Sequence, residues 1–270
     1  MSQYIDIHSH LNDARFDDGI TGVLARMREA SVGTIVVGTD REMSERAIAL
    51  AEAHDDIWAT VGQHPTDTPK EEFDYTVYRT MAEHPRVVAI GECGIDYFRI
   101  ADFEGNKDKE ADRQQELFEQ HVALAGSVGK PLMVHGRPEK GTMDAYEDIL
   151  HILKNAQETH GGRIRGNVHF FVGNTEIAKQ FLDMGFTLSF TGVLTFTHEY
   201  DEVVRYAPLS SIMSETDAPY VAPTPHRGSR NEPLYVCEVV RAISRIRGEN
   251  EDAVREQLVE NAKRVFNIAL

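Results

Sequence analysis

The 270 residues, 41% of them hydrophobic, can bury a substantial core and have the length of a single barrel domain. With 44 acidic and 28 basic residues the formal net charge is −16, which disfavours broad electrostatic adhesion to DNA, RNA or an anionic membrane. The two cysteines, Cys93 and Cys237, lie far apart and argue against a disulfide framework or a thiolate zinc site.

Short runs rich in β-branched residues predict eight strands along the chain. These runs are Tyr4–His8, Thr34–Gly38, Ile57–Gly62, Val87–Glu92, Pro131–His135, Asn167–Phe171, Phe186–Phe190 and Ser211–Ser214. Helical patterns lie between them, at Gly19–Ala30, Glu42–His54, Phe73–His84, Ala111–Val128, Met143–Ala156 and Glu176–Met184, with weaker support near Tyr200. This alternation predicts an α/β protein with one (β/α)8 TIM-type barrel domain over residues 1–270, since no Gly-x-Gly-x-x-Gly follows any strand.

Two further helices are predicted from Glu232 onward, the last with an apolar stripe that should pack on the barrel. The members of this stripe are Val254, Leu258, Ala262, Val265 and Ala269. The polar segment Phe98–Asp112 is predicted to form a long loop over the barrel mouth. The chain shows neither an export signal nor an apolar run of about 18 residues. We therefore expect a soluble cytoplasmic protein with no membrane contact and no obligatory protein partner.

The opening Asp6-Ile7-His8-Ser9-His10 places three potential metal ligands at alternate positions of the first strand. Because alternate side chains of a strand share one face, Asp6, His8 and His10 are expected to point the same way. This motif by itself is half of a metal site, so the remaining ligands must come from elsewhere in the chain.

Potential ligands also follow strands three, four, five, six and eight, at the ends where barrel active sites are built. They are His64, Glu92, His135, His169 and Asp217. Each alone has an ordinary explanation, such as a loop residue, a helix cap or a hydrogen-bonded core histidine. Together they indicate a metal site, because buried polar groups need hydrogen-bond partners or a bound ion.

Imidazole and carboxylate ligands without thiolate suit Mg²⁺, Mn²⁺, Co²⁺ or Zn²⁺, and their number indicates two divalent ions. Two ions about 3.5 to 4 Å apart can activate a water and neutralise the charge that develops on a phosphate. Glu92 is the strand-end glutamate placed to bridge them. Its neighbour Cys93 should face the opposite side of the strand and belong to the core.

The chain resembles the TatD family of metal-dependent deoxyribonucleases, which belong to the amidohydrolase-like barrels. The similar stretches are Asp6–Asp18, Gly62–Pro65, Gly91–Tyr97, Pro131–Arg137, His169–Gly173, Glu215–Tyr220 and Arg227–Pro233. The resemblance runs essentially from Tyr4 to Phe266. It implies the fold already predicted from the strand pattern, and it implies roles for individual residues.

The resemblance implies metal ligands, which are His8, His10 and Asp217 for one ion, His135 and His169 for the other, and Glu92 for both. Asp217 would also orient or deprotonate the attacking water. His64 would hold the scissile phosphate or donate a proton to the leaving group. Together with Glu92, these two residues form the predicted catalytic set. For Asp6 the physical expectation is a carboxylate partner for a metal-bound histidine.

Arginines in or near the matching stretches are predicted to bind phosphate oxygens, and they are Arg137, Arg227 and Arg230. For Arg230, beside Glu232, a surface ion pair is the alternative. The candidates for stacking a terminal base are Tyr97, Phe98 and Tyr220, with ordinary packing as the alternative.

The resemblance predicts a metal-dependent phosphodiesterase, a deoxyribonuclease that removes nucleotides from the 3′ end of single-stranded DNA with a water activated by two metal ions. One alternative is an amidohydrolase or lactonase acting on a small molecule, which the acidic surface favours. The end of strand four has Glu92 in place of the modified lysine that bridges the metals in many such barrels, which favours the nuclease. A metal-binding interaction protein without catalysis would be marked by a missing ligand, and none is missing.

Overall fold

The computed structural model describes residues 3–66, 72–102, 105–160 and 164–269. Eight parallel strands pair in sequence order, each with the next. They are β1 Tyr4–Ser9, β2 Val32–Val36, β3 Ile57–Val61, β4 Val87–Asp96, β5 Leu132–Arg137, β6 Gly166–Val168, β7 Thr187–Phe190 and β8 Ile212–Ser214. The predicted eight-stranded barrel is therefore confirmed, with strand ends that differ from the predicted ones by a few residues.

The barrel closes where the chain after β8 meets β1. The amide of Asp217 donates a hydrogen bond to the carbonyl of His8 at 2.9 Å, and the amide of His10 donates to the carbonyl of Ala218 at 2.7 Å. A parallel bridge joins Ser9 to Ala218. Closure therefore places the end of the first strand directly beside the segment that carries Asp217.

Helices follow the strands and cover the outside of the barrel. They are α1 Ile20–Glu29, α2 Arg41–Ala53, α3 Tyr75–Ala82, α4 Lys107–Val128, α5 Asp144–His160, α6 Thr175–Asp183, α7 Asp201–Tyr206, α8 Val236–Arg247 and α9 Glu251–Phe266. Several begin at an Asp or Asn whose side chain accepts hydrogen bonds from the first turn, as Asp40 and Asn174 do. None of the described helices is long and apolar enough to cross a membrane.

The last helix, α9, closes the barrel at the end opposite to the strand ends that carry the polar residues. Ala262, Val265 and Phe266 pack in one buried cluster with Ile5 of β1 and Trp58 near the start of β3. Val254 and Leu258 of the predicted stripe are also buried. Ala269, by contrast, lies beyond the end of the helix and is exposed, so its inclusion in the stripe is wrong.

The prediction of a long loop over Phe98–Asp112 is also wrong for much of its length. Arg99–Asp102 forms a short 3-10 helix, and α4 begins at Lys107. The side chain of Asn106 accepts hydrogen bonds from the amides of Asp108 and Lys109, so it caps the helix. Asp108 and Glu110 in the first turn favour the helix, whereas the polar composition of the segment by itself is also typical of a loop.

Two glycines let the long strand β4 approach β5 closely. Gly91 and Gly94 have φ angles of 142° and 146°, which side chains rarely adopt. A Cβ atom on Gly94 would overlap the carbonyl oxygen of His135, and one on Gly91 would overlap that of Met133. This close approach brings the end of β4, which carries Glu92, against the end of β5.

His121 of α4 is a buried, neutral histidine behind the end of β3. Its Nε2 accepts a hydrogen bond from the amide of Gln63 at 2.9 Å, and its Nδ1 donates to the carbonyl of Leu117 at 2.8 Å. Burial lowers the pKa of His121 to about 4, although the hydrogen bond to Leu117 opposes this change.

We expect His121 to make the protein less stable as the pH falls below its unfolded-state pKa of about 6.5. Between this pH and about pH 4 the unfolded chain binds a proton at His121, whereas the folded protein does not. The free energy of unfolding therefore falls across this pH range. The full loss amounts to about 3 kcal/mol. It is measured as the difference in urea unfolding between the wild type and His121→Gln from pH 7.5 to 4.5, with the exposed His151→Gln as control. Parallel pH profiles for the wild type and His121→Gln would contradict the assignment.

Candidate active site

Six side chains meet at the mouth of the barrel, and we call this group the cage. The cage consists of His8, His10, Glu92, His135, His169 and Asp217. Apart from His135 and Asp217, which are partly exposed, its members are buried. A cavity of about 630 Å³ opens above the cage. The barrel therefore brings together all six residues that the resemblance implies as metal ligands, from strands far apart in the sequence.

The carboxylate of Glu92 lies at the centre of the cage, and its two oxygens face different partners. Oε2 is 3.4 Å from Nε2 of His8 and 3.7 Å from Nε2 of His10. Oε1 is 2.9 Å from Nε2 of His169 and 3.0 Å from Nδ1 of His135. Glu92 thus stands between two sets of imidazole nitrogens, one set at each oxygen.

Asp217 completes the set on the Oε2 side. Its Oδ1 lies 3.3 Å from Nε2 of His10 and 3.8 Å from Nε2 of His8. The residue has a φ of 56°, in the left-handed region that non-glycine residues adopt at some energetic cost. The surrounding structure holds this conformation, since the Asp217 amide donates to the carbonyl of His8. The result is a carboxylate directed at the two histidines of β1.

The donors of the cage fit divalent metal ions. Imidazole nitrogens and carboxylate oxygens from three residues converge within 4.8 Å of one another in each of two sets, His8, His10 and Glu92 on one side and Glu92, His135 and His169 on the other. Such a mixture of nitrogen and oxygen donors suits Zn²⁺ or Mn²⁺, and a shared carboxylate suits a pair of ions. Within the described residues, Nδ1 of His8 is buried and has no hydrogen-bond partner.

His64 lies at the edge of the cage, in the wall of the cavity. Its Nε2 is 3.5 Å from Oε1 of Glu92, and the amide of Thr66 donates to its Nδ1 at 3.3 Å. Its ring meets the His135 ring edge-on at a centroid distance of 4.5 Å. This position is consistent with a residue that faces a bound group from the side and leaves the central positions to the six cage residues.

The sequence interpretation missed two carboxylates that contact the cage histidines from outside. Oδ2 of Asp96 is 3.1 Å from Nε2 of His135. Oε1 of Glu215 is 3.6 Å from Nδ1 of His169. A signal for both was present, because Asp96 lies four residues after Glu92 and Glu215 two residues before Asp217, spacings that share a face in extended chain. Carboxylates in this position hold metal-bound imidazoles in one orientation.

Hydrogen bonds to neighbouring elements also hold Asp96 in place. It accepts a hydrogen bond from the amide of Arg99 at 3.0 Å, and its backbone amide donates to the side chain of Gln114 at 2.8 Å. Together with His64 and His135, it forms a further group of closely spaced donor atoms. The 3-10 helix therefore holds the carboxylate of Asp96, which faces His135, and α4 holds its backbone.

The electrostatics of the cage favour ionised carboxylates surrounded by positive charge. Burial by itself raises the pKa of Glu92, but the neighbouring imidazoles outweigh burial and hold this pKa well below its usual range. Burial lowers the pKa of His135, but the carboxylates of Asp96 and Glu92 reverse the effect and raise it to about 9. An ionised carboxylate at the centre of the cage attracts cations, and a bound divalent ion would take the place of the protons on the surrounding imidazoles.

Asp6, the residue that made the opening motif unusual, contacts none of the imidazole rings that the structure describes. Its oxygens accept hydrogen bonds from the amide of Thr216 at 2.8 Å, the hydroxyl of Thr216 at 2.6 Å and the amide of His8 at 3.2 Å. Burial raises its pKa well above the usual range, against the effect of these hydrogen bonds. The expectation that Asp6 partners a histidine ring is wrong, because its carboxylate joins β1 to the chain beside Asp217.

The predicted core cysteine and the three predicted arginines lie in different surroundings. Cys93 is fully buried in the core, as predicted. Arg137 lines the cavity, whereas Arg227 and Arg230 are not among its lining residues. Arg230 donates to the carbonyl of Arg15 at 2.6 Å and lies 3.3 Å from Glu232, so it forms the ion pair given as the alternative, and its contact with substrate stays a prediction.

The three aromatic candidates also differ in their positions. Tyr97 donates to the carboxylate of Asp148 at 2.7 Å and has a packing role. Phe98 and Tyr220, by contrast, are 42% and 45% exposed.

An eight-stranded α/β barrel with a histidine and carboxylate cage at the carboxyl ends of its strands defines a metal-dependent hydrolase. The cage alone leaves the family open, because several hydrolase families share this architecture. The chain belongs to the TatD family, since the family model described as TatD related DNase matches residues 5–267. The resemblance seen in the sequence is therefore confirmed.

Related proteins match this chain over nearly their whole length, which supports the family assignment. The uncharacterized metal-dependent hydrolase YabD of Bacillus subtilis is 37% identical over 268 residues, covering 97% of this chain and 98% of that protein. A 3′-5′ ssDNA/RNA exonuclease TatD of Pantoea ananatis is 31% identical, with coverage of 97% and 99%. The crystal structure of YjjV, a TatD homolog of Escherichia coli, matches with a TM-score of 0.86 at 27% identity and covers 99% of both chains.

Proposed function

We propose that this hydrolase is a nuclease that removes nucleotides from the 3′ end of single-stranded DNA and uses two divalent ions. One observation carries the proposal, namely that the two oxygens of Glu92 face two separate sets of donors. The relative from Pantoea ananatis that is named a 3′-5′ ssDNA/RNA exonuclease supports the choice of substrate. RNA of the same length belongs in the same tests, because that relative's name includes it.

The proposed assignment gives His8, His10 and Asp217 to one ion, His135 and His169 to the other, and Glu92 to both. When bound, Mg²⁺, Mn²⁺ or Zn²⁺ would supply an activated water and neutralise the charge that develops on the phosphate. The buried side chains around the cage prepare this site, because they hold the donors in place before any ion or substrate arrives.

The other residues of the site are proposed to act on protons and on the substrate. Asp217 orients the attacking water and accepts its proton, because its carboxylate faces the cavity. His64 holds the scissile phosphate or donates a proton to the leaving oxygen, since its ring borders the same cavity. Arg137, in the cavity wall, is placed to bind a phosphate oxygen.

The test is product analysis of one single-stranded oligonucleotide labelled in turn at its 5′ and its 3′ end. With Mg²⁺, Mn²⁺ or Zn²⁺, a 5′ label should appear in a ladder that shortens stepwise, whereas a 3′ label should be released at once as a mononucleotide. Chelator should stop both reactions. Internal cuts or the opposite pattern would overturn the polarity, and an intact oligonucleotide would overturn the nuclease.

A panel of small lactones, cyclic amides and phosphoesters serves as the second arm of this test. The formal charge of −16 favours a small substrate over a long polyanion, which keeps hydrolysis of such molecules as the alternative. Metal-dependent turnover in this arm, with none of the oligonucleotide, would establish the alternative.

Asp96→Asn is expected to weaken metal binding about 10- to 100-fold, because Asp96 holds the ring of His135 through Nε2. Isothermal titration of the metal-free protein with Mn²⁺ or Zn²⁺ measures this change without reference to any substrate. The matched control is Asp148→Asn, which removes a carboxylate bonded to Tyr97. Equal affinities for Asp96→Asn and the wild type would show that the contact between Asp96 and His135 is incidental.

A further inference from the structure

Three aromatic rings stand exposed at the mouth of the barrel, and an arginine covers one face of each. The guanidinium of Arg137 lies 4.0 Å from the ring centre of Phe98, and that of Arg227 lies 4.0 Å from the ring centre of Phe196. Arg15 lies 4.3 Å from the ring centre of Tyr220. We call these the rim pairs, and they are Phe98 with Arg137, Phe196 with Arg227, and Tyr220 with Arg15.

Three of the four exposed Phe and Tyr rings among the described residues lie at the active-site end of the barrel, and the fourth, Tyr206, ends α7 at the opposite end. Phe98, Phe196 and Tyr220 are 42%, 45% and 45% exposed, and they follow β4, β7 and β8. Arginines also lie over Trp58 and Phe16, but those rings are 4% and 0% exposed. Packing explains a buried ring under an arginine, whereas it does not explain open rings at the active-site end of the barrel, where Tyr220 and Arg137 line the cavity.

Two of the rim pairs also carry positive charge that no carboxylate among the described residues neutralises, whereas Arg15 forms an ion pair with Asp13 at 2.6 Å. Within the described ranges, neither Arg137 nor Arg227 forms an ion pair with a carboxylate, although the chain has a formal charge of −16. Arg227 makes one hydrogen bond, to the carbonyl of Ala222 at 2.7 Å. Unpaired guanidinium groups beside open rings present both a cation for phosphate and a flat surface for a base.

The order of the strands places the rim pairs on both sides of the cage. Phe98 and Arg137 follow β4 and end β5, whereas Tyr220 and Arg15 follow β8 and β1. In a barrel with strands in the order β1 to β8, these positions lie across the mouth from each other. The ring of Tyr220 also stands near the cage, 6.0 Å from the ring of His10.

We infer that the rim pairs stack the bases of a single-stranded nucleic acid that crosses the mouth with its scissile phosphate over the cage. Tyr220 with Arg15 would stack a base next to the cage, Phe196 with Arg227 one on the same side, and Phe98 with Arg137 one on the opposite side. Bases of a duplex are not available for such stacking, so the rim pairs select single strands. This inference rests on the proposed function for its substrate, and it adds the residues that select that substrate.

The first experiment measures binding in the absence of cleavage. Fluorescence anisotropy of a labelled ten-residue oligothymidylate, in chelator, compares the wild type with Phe98→Ala and Phe196→Ala. Each variant should bind about 5- to 100-fold more weakly, the range found for loss of one base-stacking ring. Tyr206→Ala is the matched control, because Tyr206 is 46% exposed but ends α7, at the opposite end of the barrel.

Arg137→Lys tests whether the planar guanidinium, placed over Phe98 and in the cavity wall, contributes more to binding than its charge does. The variant keeps the positive charge but loses the planar group over Phe98, so it should also bind the oligonucleotide more weakly than the wild type. Unchanged binding in Arg137→Lys, Phe98→Ala and Phe196→Ala, with thermal stability equal to that of the wild type, would overturn the inference.

The second experiment measures turnover with added Mn²⁺. For Phe98→Ala and Phe196→Ala, KM for the oligonucleotide should rise by a factor similar to that for binding. The rate with methyl p-nitrophenyl phosphate, a phosphodiester without bases, should not change. An equal loss of activity on both substrates would overturn the inference, because the substitutions would then have disturbed the cage itself and not the binding of bases. The protein could also bind the oligonucleotide through the rim pairs without cleaving it. That result would support the inference about base stacking and overturn the proposal that the protein is a nuclease.

Discussion

Replacing Glu92 by glutamine should reduce hydrolytic activity by on the order of 10³-fold or more, while the fold persists. The change removes the negative charge from the centre of the cage, where both carboxylate oxygens face imidazole nitrogens at 2.9 to 3.7 Å. An amide presents one oxygen and one NH₂ group, so it is unable to serve two ions from its two ends. Initial rates on a single-stranded oligonucleotide at saturating Mn²⁺ measure the effect.

The fold of the Glu92→Gln protein is checked by circular dichroism and thermal unfolding. Glutamine has nearly the size of glutamate, so the barrel has no reason to repack. Glu45→Gln is the matched control, because Glu45 is an exposed partner of Arg41 on α2. Activity of Glu92→Gln within a few-fold of the wild type would show that Glu92 is not the shared residue of a metal pair.

Removing metal should abolish activity and lower the melting temperature. Ions that bind the folded cage but not the unfolded chain stabilise the protein by about 2.7 kcal/mol at a free concentration of 100 Kd. For a chain of this length, that corresponds to a shift on the order of 5 to 10 °C. Thermal unfolding after chelation, and again after addition of Mn²⁺ or Zn²⁺, measures the shift.

The number of metal ions bound per chain is a more specific test of the metal site. Elemental analysis of the reloaded protein should find two ions per chain, and the Glu92→Gln protein should bind fewer and gain less stability on reloading. The two sets of donors that share Glu92 are the reason for this number. A melting temperature that changes with neither chelator nor metal would contradict the assignment. One ion per chain in the active protein would contradict it as well.

Much of the fold could be predicted from the sequence because strand periodicity and helix patterning are local properties. The eight strands were found from short apolar runs, and the barrel follows from their alternation with helices. The start of α4 was missed because its first turns are as polar as a loop, and only the cap formed by Asn106 distinguishes them. Ala269 was misplaced because the periodic pattern continues past the point where the helix ends.

The candidate site divides in a similar way. Imidazole and carboxylate groups at strand ends are unusual and predicted a metal site, and the resemblance to the TatD family then separated the six cage residues from His64 and Asp6. Asp96 and Glu215 were missed because a carboxylate near a motif has many uses, and its contact with His135 or His169 depends on strands far apart in the chain. The arginines were interpreted from position alone, so Arg230 was assigned to substrate although its partner is Glu232.

The sequence by itself determined the class of chemistry, because residue types define which ions a site attracts and alternation in a strand defines which side chains share a face. Only the tertiary structure decided how those residues meet. Closure of the barrel between β1 and β8 places Asp217 against His8 and His10, and the close approach of β4 to β5 directs the oxygens of Glu92 to different partners. These distances depend on the packing of segments that are not neighbours in the sequence, so a local sequence pattern does not predict them.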